Sequence, residues 1–188
     1  MLEGELSLAE KLDPSDHQLM ERTALGDREA FATLVRRHQR SVLSIAYRFL
    51  ADRAQAEDAA QEVFLRLWRA AGRYKPERAI EAYLRTLTVN HCLDLGRKPR
   101  LLSLTEREEP MGSEDPHRDL LASERRAAVD RALQALAPSQ RMAVILFHRE
   151  ALTVKEVARL LDISPKAVES LLSRARAALR ERLGSLLM

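Results

Sequence analysis

Apolar residues along the chain recur at helical spacing, three or four apart, and no stretch alternates with the period of two that a half-buried strand shows. From Asp27 onward, Phe31, Leu34, Val35, Val42, Ile45, Ala46 and Phe49 fall on one helical face, behind an aspartate suited to cap the helix. Ser15 or Asp16 can cap a shorter helix before it, running toward Leu25. Asp52 precedes a third helix that the pattern stops near Gly72. A fourth runs from about Ala79 to Leu95, with Gly96 as its stop and Pro99 beyond. Farther on, Ser123 opens a helix through Ala137, Pro138 restarts another through about Glu150, and two more follow.

The fold class this predicts is all-α: two small helical bundles joined by a flexible acidic linker. The linker follows from Ser103–Asp119, where Pro110, Gly112 and Pro116 interrupt a polar run with little that is apolar after Leu104. The expected divisions are a tail over 1–14, a first domain over 15–100, a linker over 101–122 and a second domain over 123–188. Composition agrees. Aromatic residues make up 4% and there are only 6 Gly and 7 Pro, too few for the turns and strands of a sandwich or barrel.

Charge changes the picture more than its total of +3 suggests. Residues 1–30 carry a net −5, 31–102 a net +7, 103–119 a net −4 and 120–188 a net +5. Two basic blocks thus flank an acidic one, and basic surfaces attract polyanions and release their counterions on binding. Other chemistries are poorly supplied. The single cysteine, Cys92, excludes an internal disulfide and a Cys-based zinc site. The five histidines lack metal-ligand spacing, and we expect neither metal nor cofactor. No run reaches the roughly 18 apolar residues of a membrane span, and the acidic, polar N-terminus lacks the make-up of a signal peptide. A cytoplasmic protein, monomeric when free and not inserted in a membrane, is expected.

Three segments carry specific chemistry. In the third helix, Ala56, Ala60, Val63, Leu67 and Ala71 form a stripe sufficient for packing, with Phe64 at its edge. Asp58, Gln61, Leu65 and Trp68 form a second stripe roughly 130° away. A mixed patch around the only tryptophan has the composition of a protein-docking surface; packing of Trp68 beneath the first helix or the N-terminal tail is the alternative. The turn from Arg73 to Ala79 and the fourth helix hold a basic loop and then Asn90, Asp94 and Arg97 on one side. Such amides and guanidiniums can hydrogen-bond bases and phosphates, although an Asp94–Arg97 surface pair with a solvated Asn90 would also fit. Last, Thr153-Val154-Lys155-Glu156 is a capping box. The helix it opens breaks at Asp162-Ile163, and Ser164-Pro165 starts another whose exposed residues include Lys166, Glu169, Ser170, Ser173, Arg174 and Arg176. Two short helices around a tight turn suit major-groove reading, or else simple packing.

The run Ala56-Glu57-Asp58-Ala59-Ala60-Gln61-Glu62-Val63-Phe64-Leu65-Arg66-Leu67-Trp68 closely resembles region 2.2 of the extracytoplasmic-function (ECF) sigma factors of the sigma-70 family. Tyr83-Leu84, Asn90, Asp94 and Arg97-Lys98 resemble its regions 2.3–2.4, and Val154–Leu161 with Ser164–Leu183 its region 4.2. The resemblance covers about Ser15–Pro99 and Ser123–Leu183. It departs at Tyr83, where Trp is usual, at Pro76, where the loop residue is usually small or Gly, and at Glu169 and Leu171, where Lys and Arg are common. The turn glycine is replaced by Asp162.

The resemblance implies a promoter-recognition subunit that is not an enzyme. It implies docking on the clamp helices of the largest subunit of core RNA polymerase through Asp58, Gln61, Phe64, Leu65 and Trp68. It implies opening and reading of the −10 element by Tyr74, Lys75, Glu77, Arg78, Tyr83, Asn90, Asp94, Arg97 and Lys98, with one base flipped from the stack. It implies reading of the −35 element of promoter DNA by Lys166, Ala167, Glu169, Ser170, Ser173, Arg174 and Arg176, an acidic linker lying in a basic channel of the polymerase, and an anti-sigma factor as a further partner. From another class, a helix-turn-helix regulator acting at operators would need no polymerase and no role for the Trp68 stripe. A DNA-modifying enzyme is weaker still, since no nucleophile–base pair supports it.

Overall fold

The computed structural model describes residues 14–74, 79–97 and 127–184. Eight α-helices account for most of them: α1 (Asp16–Ala24), α2 (Arg28–Leu50), α3 (Arg53–Ala70), α4 (Ile80–Arg97), α5 (127–134), α6 (Pro138–Val144), α7 (Val154–Leu161) and α8 (Pro165–Gly184). No strand occurs among the described residues. A 3₁₀ turn (Ala71–Arg73) follows α3, and a π turn (Ile145–Arg149) continues α6.

The caps are those the side chains favour. Ser15 accepts from the Gln18 amide at 3.3 Å, Asp27 from the amides of Glu29 and Ala30 at 2.9 and 3.1 Å, and Asp52 from that of Gln55 at 2.9 Å. Asp16, the other candidate cap, does different work. Its carboxylate accepts from Arg37 and approaches His38 Nε2, both at 2.7 Å, tying α1 to the middle of α2.

The first bundle, α1 to α4, has a core of its own around Leu19, Met20, Leu34, Val42, Val63, Leu67, Ile80 and Leu84. The second does not stand apart from it. A continuous apolar cluster joins Ile45, Phe49, Ala56, Val89 and Cys92 of the first bundle to Met142, Ile145, Leu146, Val157, Val168 and Leu172 of the second. The pattern of apolar positions implies two modest cores on a tether; in the structure the C-terminal half of α4 packs against α6 and α7, and the end of α2 against α6 and the π turn.

Gly96 explains part of this. Its expected role as the stop of the fourth helix is not what the structure shows, because α4 runs on to Arg97. A Cβ on Gly96 would lie 2.9 Å from the Phe49 ring and 3.3 Å from the Pro138 side chain. The residue is a place of close approach between the bundles, not a left-handed C-cap. The expected linker, most of the tail and the proposed cap Ser123 lie outside the described residues.

Candidate nucleic-acid interface

On α3 the two stripes separate as their spacing requires. Ala56, Ala60, Val63 and Leu67 are buried, and Asp58, Gln61 and Leu65 are exposed, Leu65 to 47%. Trp68 behaves differently from those three. It is half-buried, with its ring edge-on to Phe31 of α2 at 5.0 Å between centroids. The sequence posed packing beneath the first helix or the N-terminal tail as the alternative to a docking role; the described contact is instead with α2, the second helix, and it leaves part of the ring exposed. Phe64, only 6% exposed, stands in the core beneath the patch and cannot offer its ring to a partner without repacking.

Beside the patch, Glu62 receives Arg66 Nε at 2.9 Å, and Arg66 Nη2 lies 3.2 Å from His91 Nδ1 on α4. The hydrogen bond from Arg66 holds the Glu62 carboxyl below its usual range, against a smaller opposing effect of desolvation. None of these three residues stood out in the sequence. Only an i,i+4 Glu–Arg pair was visible there, and the reach from α3 to α4 depends on how the two helices pack.

Along α4, Tyr83, Asn90, Asp94 and Arg97 fall on one side, since steps of seven, four and three residues nearly return to the same angle. Asn90, Asp94 and Arg97 are exposed and Tyr83 is half-buried. Tyr83 packs edge-on against Tyr74 at 5.9 Å, so an aromatic pair closes the end of this strip nearest the connecting loop. Partial burial raises the Tyr74 phenol pKa, with a further push from the Asp16 carboxylate. Asp94 and Arg97 form a loose ion pair at 3.6 Å with both side chains mostly exposed. A pair of that kind contributes little to stability and leaves Arg97 available to an anionic ligand. Lys75, Glu77, Arg78 and Lys98 lie outside the described residues.

The second bundle builds its reading face from local rules. Thr153 accepts from the Glu156 amide at 3.3 Å while Glu156 takes the Thr153 amide at 2.8 Å, the reciprocal pair of a capping box. Donors from the Thr153 hydroxyl and backbone lower the Glu156 pKa. Asp162 ends α7 in the left-handed region (φ 52°, ψ 48°), which Asp tolerates better than most residues. Ser164 then accepts from the Ala167 amide at 3.2 Å and Pro165 begins α8. Val168, Leu172 and Ala175 are buried, which turns Lys166, Glu169, Ser170, Ser173, Arg174 and Arg176 to solvent; Ala167 is half-buried at their edge. Two helices at a tight turn, the second offering a basic outer face, form a helix-turn-helix.

The comparisons with known proteins match this division. The Sigma-70 region 2 family model matches residues 34–101, and the model of Sigma-70, region 4 matches residues 126–179. The ECF RNA polymerase sigma factor SigM of Mycobacterium tuberculosis is 34% identical, across 92% of this chain and 86% of the relative. The chain belongs to the ECF sigma factors. The RNA polymerase sigma-H factor of Pseudomonas aeruginosa is 31% identical, across 92% of this chain and 95% of its own length. Among solved structures, that of CnrH in complex with the cytosolic domain of CnrY superposes with a TM-score of 0.65 at 28% identity, covering 90% of this chain and 97% of CnrH. The ECF sigma factors are not enzymes. Among the described residues no group of His, Cys, Asp and Glu could hold a metal ion, and no helix is long and apolar enough to cross a membrane.

Proposed function

We propose that this ECF sigma factor binds core RNA polymerase through the exposed stripe of α3 and directs it to promoters. In this reading α4 and the loop before it open and hold the −10 strand, and α8 enters the major groove of the −35 element. The observation that carries it is the separation of duties on α3, where Asp58, Gln61 and Leu65 face solvent although one buried stripe already packs the helix. A helix-turn-helix regulator acting at operators would have no use for that patch.

Nucleotidyl transfer belongs to the core enzyme, so this chain acts in the cytoplasm without catalysis of its own. Residues 101–122 run between the two DNA-reading domains within the polymerase. The resemblance implies control by an anti-sigma factor, and the complex of CnrH with the cytosolic domain of CnrY supports a regulatory protein partner for a chain of this fold.

Run-off transcription with purified core polymerase on a pool of genomic promoters tests the reading. Specific transcripts that require both proteins are expected. Specific duplex binding by the chain alone at physiological salt, with no transcripts, would favour the operator-binding regulator.

A further inference from the structure

One acidic side chain stands in the basic outer face of α8. Val168, Leu172 and Ala175 fix which side of the helix is buried, and Glu169 is exposed, with Lys166 and Ser173 as its neighbours one turn away and Arg176 two turns on along the same flank. Among the described residues Glu169 makes no hydrogen bond and no ion pair, although Lys166 lies only three positions back. Exposed glutamates on other helices are neutralised within a turn, Glu57 by Arg53 at 3.0 Å and Glu81 by Arg85 at 2.6 Å. Arg174, on the other flank, sets its Nε against the Ser170 carbonyl at 3.3 Å and leaves Glu169 alone. A bare carboxylate is thus the fifth residue of a helix whose N-terminal positions are the ones that reach base edges in a major groove.

Between two rows of phosphates a carboxylate is repelled from both strands, so without a specific partner it only weakens binding. The base edges of the major groove offer it two donors, N4 of cytosine and N6 of adenine, because guanine and thymine present only acceptors and a methyl group there. The two donors are not equivalent. In an A·T pair the N6 group lies between the adenine N7 and the thymine O4, acceptors on both sides that oppose a carboxylate. In a C·G pair the N4 group has one acceptor beside it, the guanine O6, and the carbon edge of cytosine on its other side. A glutamate in this groove therefore suits cytosine better than any other base.

We infer that Glu169 is a specificity-determining residue of the −35 contact, and that its carboxylate accepts a hydrogen bond from N4 of a cytosine at one position of that element. The inference rests on the proposed reading of α8 as the −35 helix and adds a base to it. The charges on this face divide the work. Lys166 and Arg176, as cations, gain from phosphates in any sequence, whereas Glu169 lowers affinity wherever the cytosine is missing. It acts by rejecting wrong sequences as much as by accepting the right one. Another base at that position sets the carboxylate against an acceptor or a methyl group and should weaken binding about five- to 150-fold, the range for one mismatched pair.

The test selects promoter DNA, randomised over the −35 element, with polymerase reconstituted from core enzyme and the full-length chain, and sequences the bound pool. The wild type should enrich cytosine at one position of one strand. Glu169→Gln should shift that position toward adenine, whose N6 and N7 an amide reads, and Glu169→Arg should shift it toward guanine, with preferences elsewhere in the element kept. Glu169→Ala should flatten that position alone and bind non-specific duplex more tightly than the wild type. All three variants should melt like the wild type, since the side chain is exposed and makes no contact that folding needs. The same base profile in all four proteins, or an even gain in affinity across the pool for Glu169→Ala, would overturn the cytosine contact and leave the sigma reading intact. A wild-type enzyme that selects no −35 sequence, with Arg174→Ala behaving as it does, would overturn the −35 reading of α8 and the contact with it.

Discussion

Replacing Leu65 by alanine separates docking from folding on α3 more cleanly than any other change. Leu65 is 47% exposed in the free protein, so a partner that covers it buries about half of a leucine side chain. Full burial of Leu stabilises by about 1.5–3 kcal/mol, which makes the half not yet covered worth about 0.7–1.5 kcal/mol, or roughly three- to twelvefold in affinity. Folding stability should change by no more than about 0.5 kcal/mol, as at most surface positions. Trp68→Ala should behave otherwise. It removes the edge-on contact with Phe31, a stability loss of about 0.5–1.5 kcal/mol beyond the lost area, and it also weakens polymerase binding by about 2–4 kcal/mol. Fluorescence anisotropy of labelled sigma titrated with core polymerase, set beside urea unfolding of the same variants, reads both quantities. A Leu65→Ala protein that binds core polymerase like the wild type would refute the docking role of the stripe, and then Trp68 belongs to the fold alone.

Four further outcomes are expected. Arg174→Ala and Arg176→Ala should weaken closed-complex formation and flatten its salt slope by about one unit. Asn90→Ala should leave initial binding intact but slow strand opening, read by permanganate reactivity of −10 thymines and rescued by a pre-melted template. Asp162→Gly should stabilise the second bundle by up to about 1 kcal/mol in thermal unfolding, because glycine meets no Cβ penalty at a φ of 52°; a loss of stability would mean that the Asp side chain matters more than its backbone. Desolvation raises the Asp16 pKa, but donors from Arg37 and His38 outweigh it and the net shift is downward. Its contribution is therefore present above the ordinary carboxylate range and lost as pH falls below about 4. Asp16→Asn should lower stability at pH 7 and flatten the acid limb of a pH–stability profile, and an unchanged limb would exclude this group.

The helices, their caps and the helix-turn-helix were legible because each is set by residues within four positions of one another. Ser15, Asp27, Asp52, Thr153 and Ser164 cap where their neighbours require. The buried and exposed stripes of α3 were legible for the same reason, apart from Trp68 and Phe64, whose exposure depends on how α2 lies across the helix. What could not be read was long-range. The Arg141 contact to the Phe49 carbonyl spans 92 positions, and its acceptor is a backbone oxygen that leaves no mark in a residue pattern. Gly96 looked like a stop because glycine serves both at helix ends and where helices come close, and only the neighbour across the seam distinguishes the two.

A core shared between two bundles has a consequence for how the protein melts. Bundles with separate cores would unfold in two steps, each with a calorimetric enthalpy in proportion to its own length. Here Val89 and Cys92 rest in the same apolar cluster as Met142 and Leu172, so losing either bundle strips the other of part of its interior. The free protein should melt in a single transition, with the calorimetric and van't Hoff enthalpies in agreement. Substitutions on opposite sides of the seam should show non-additive effects on the midpoint, since each alters the surroundings of the other.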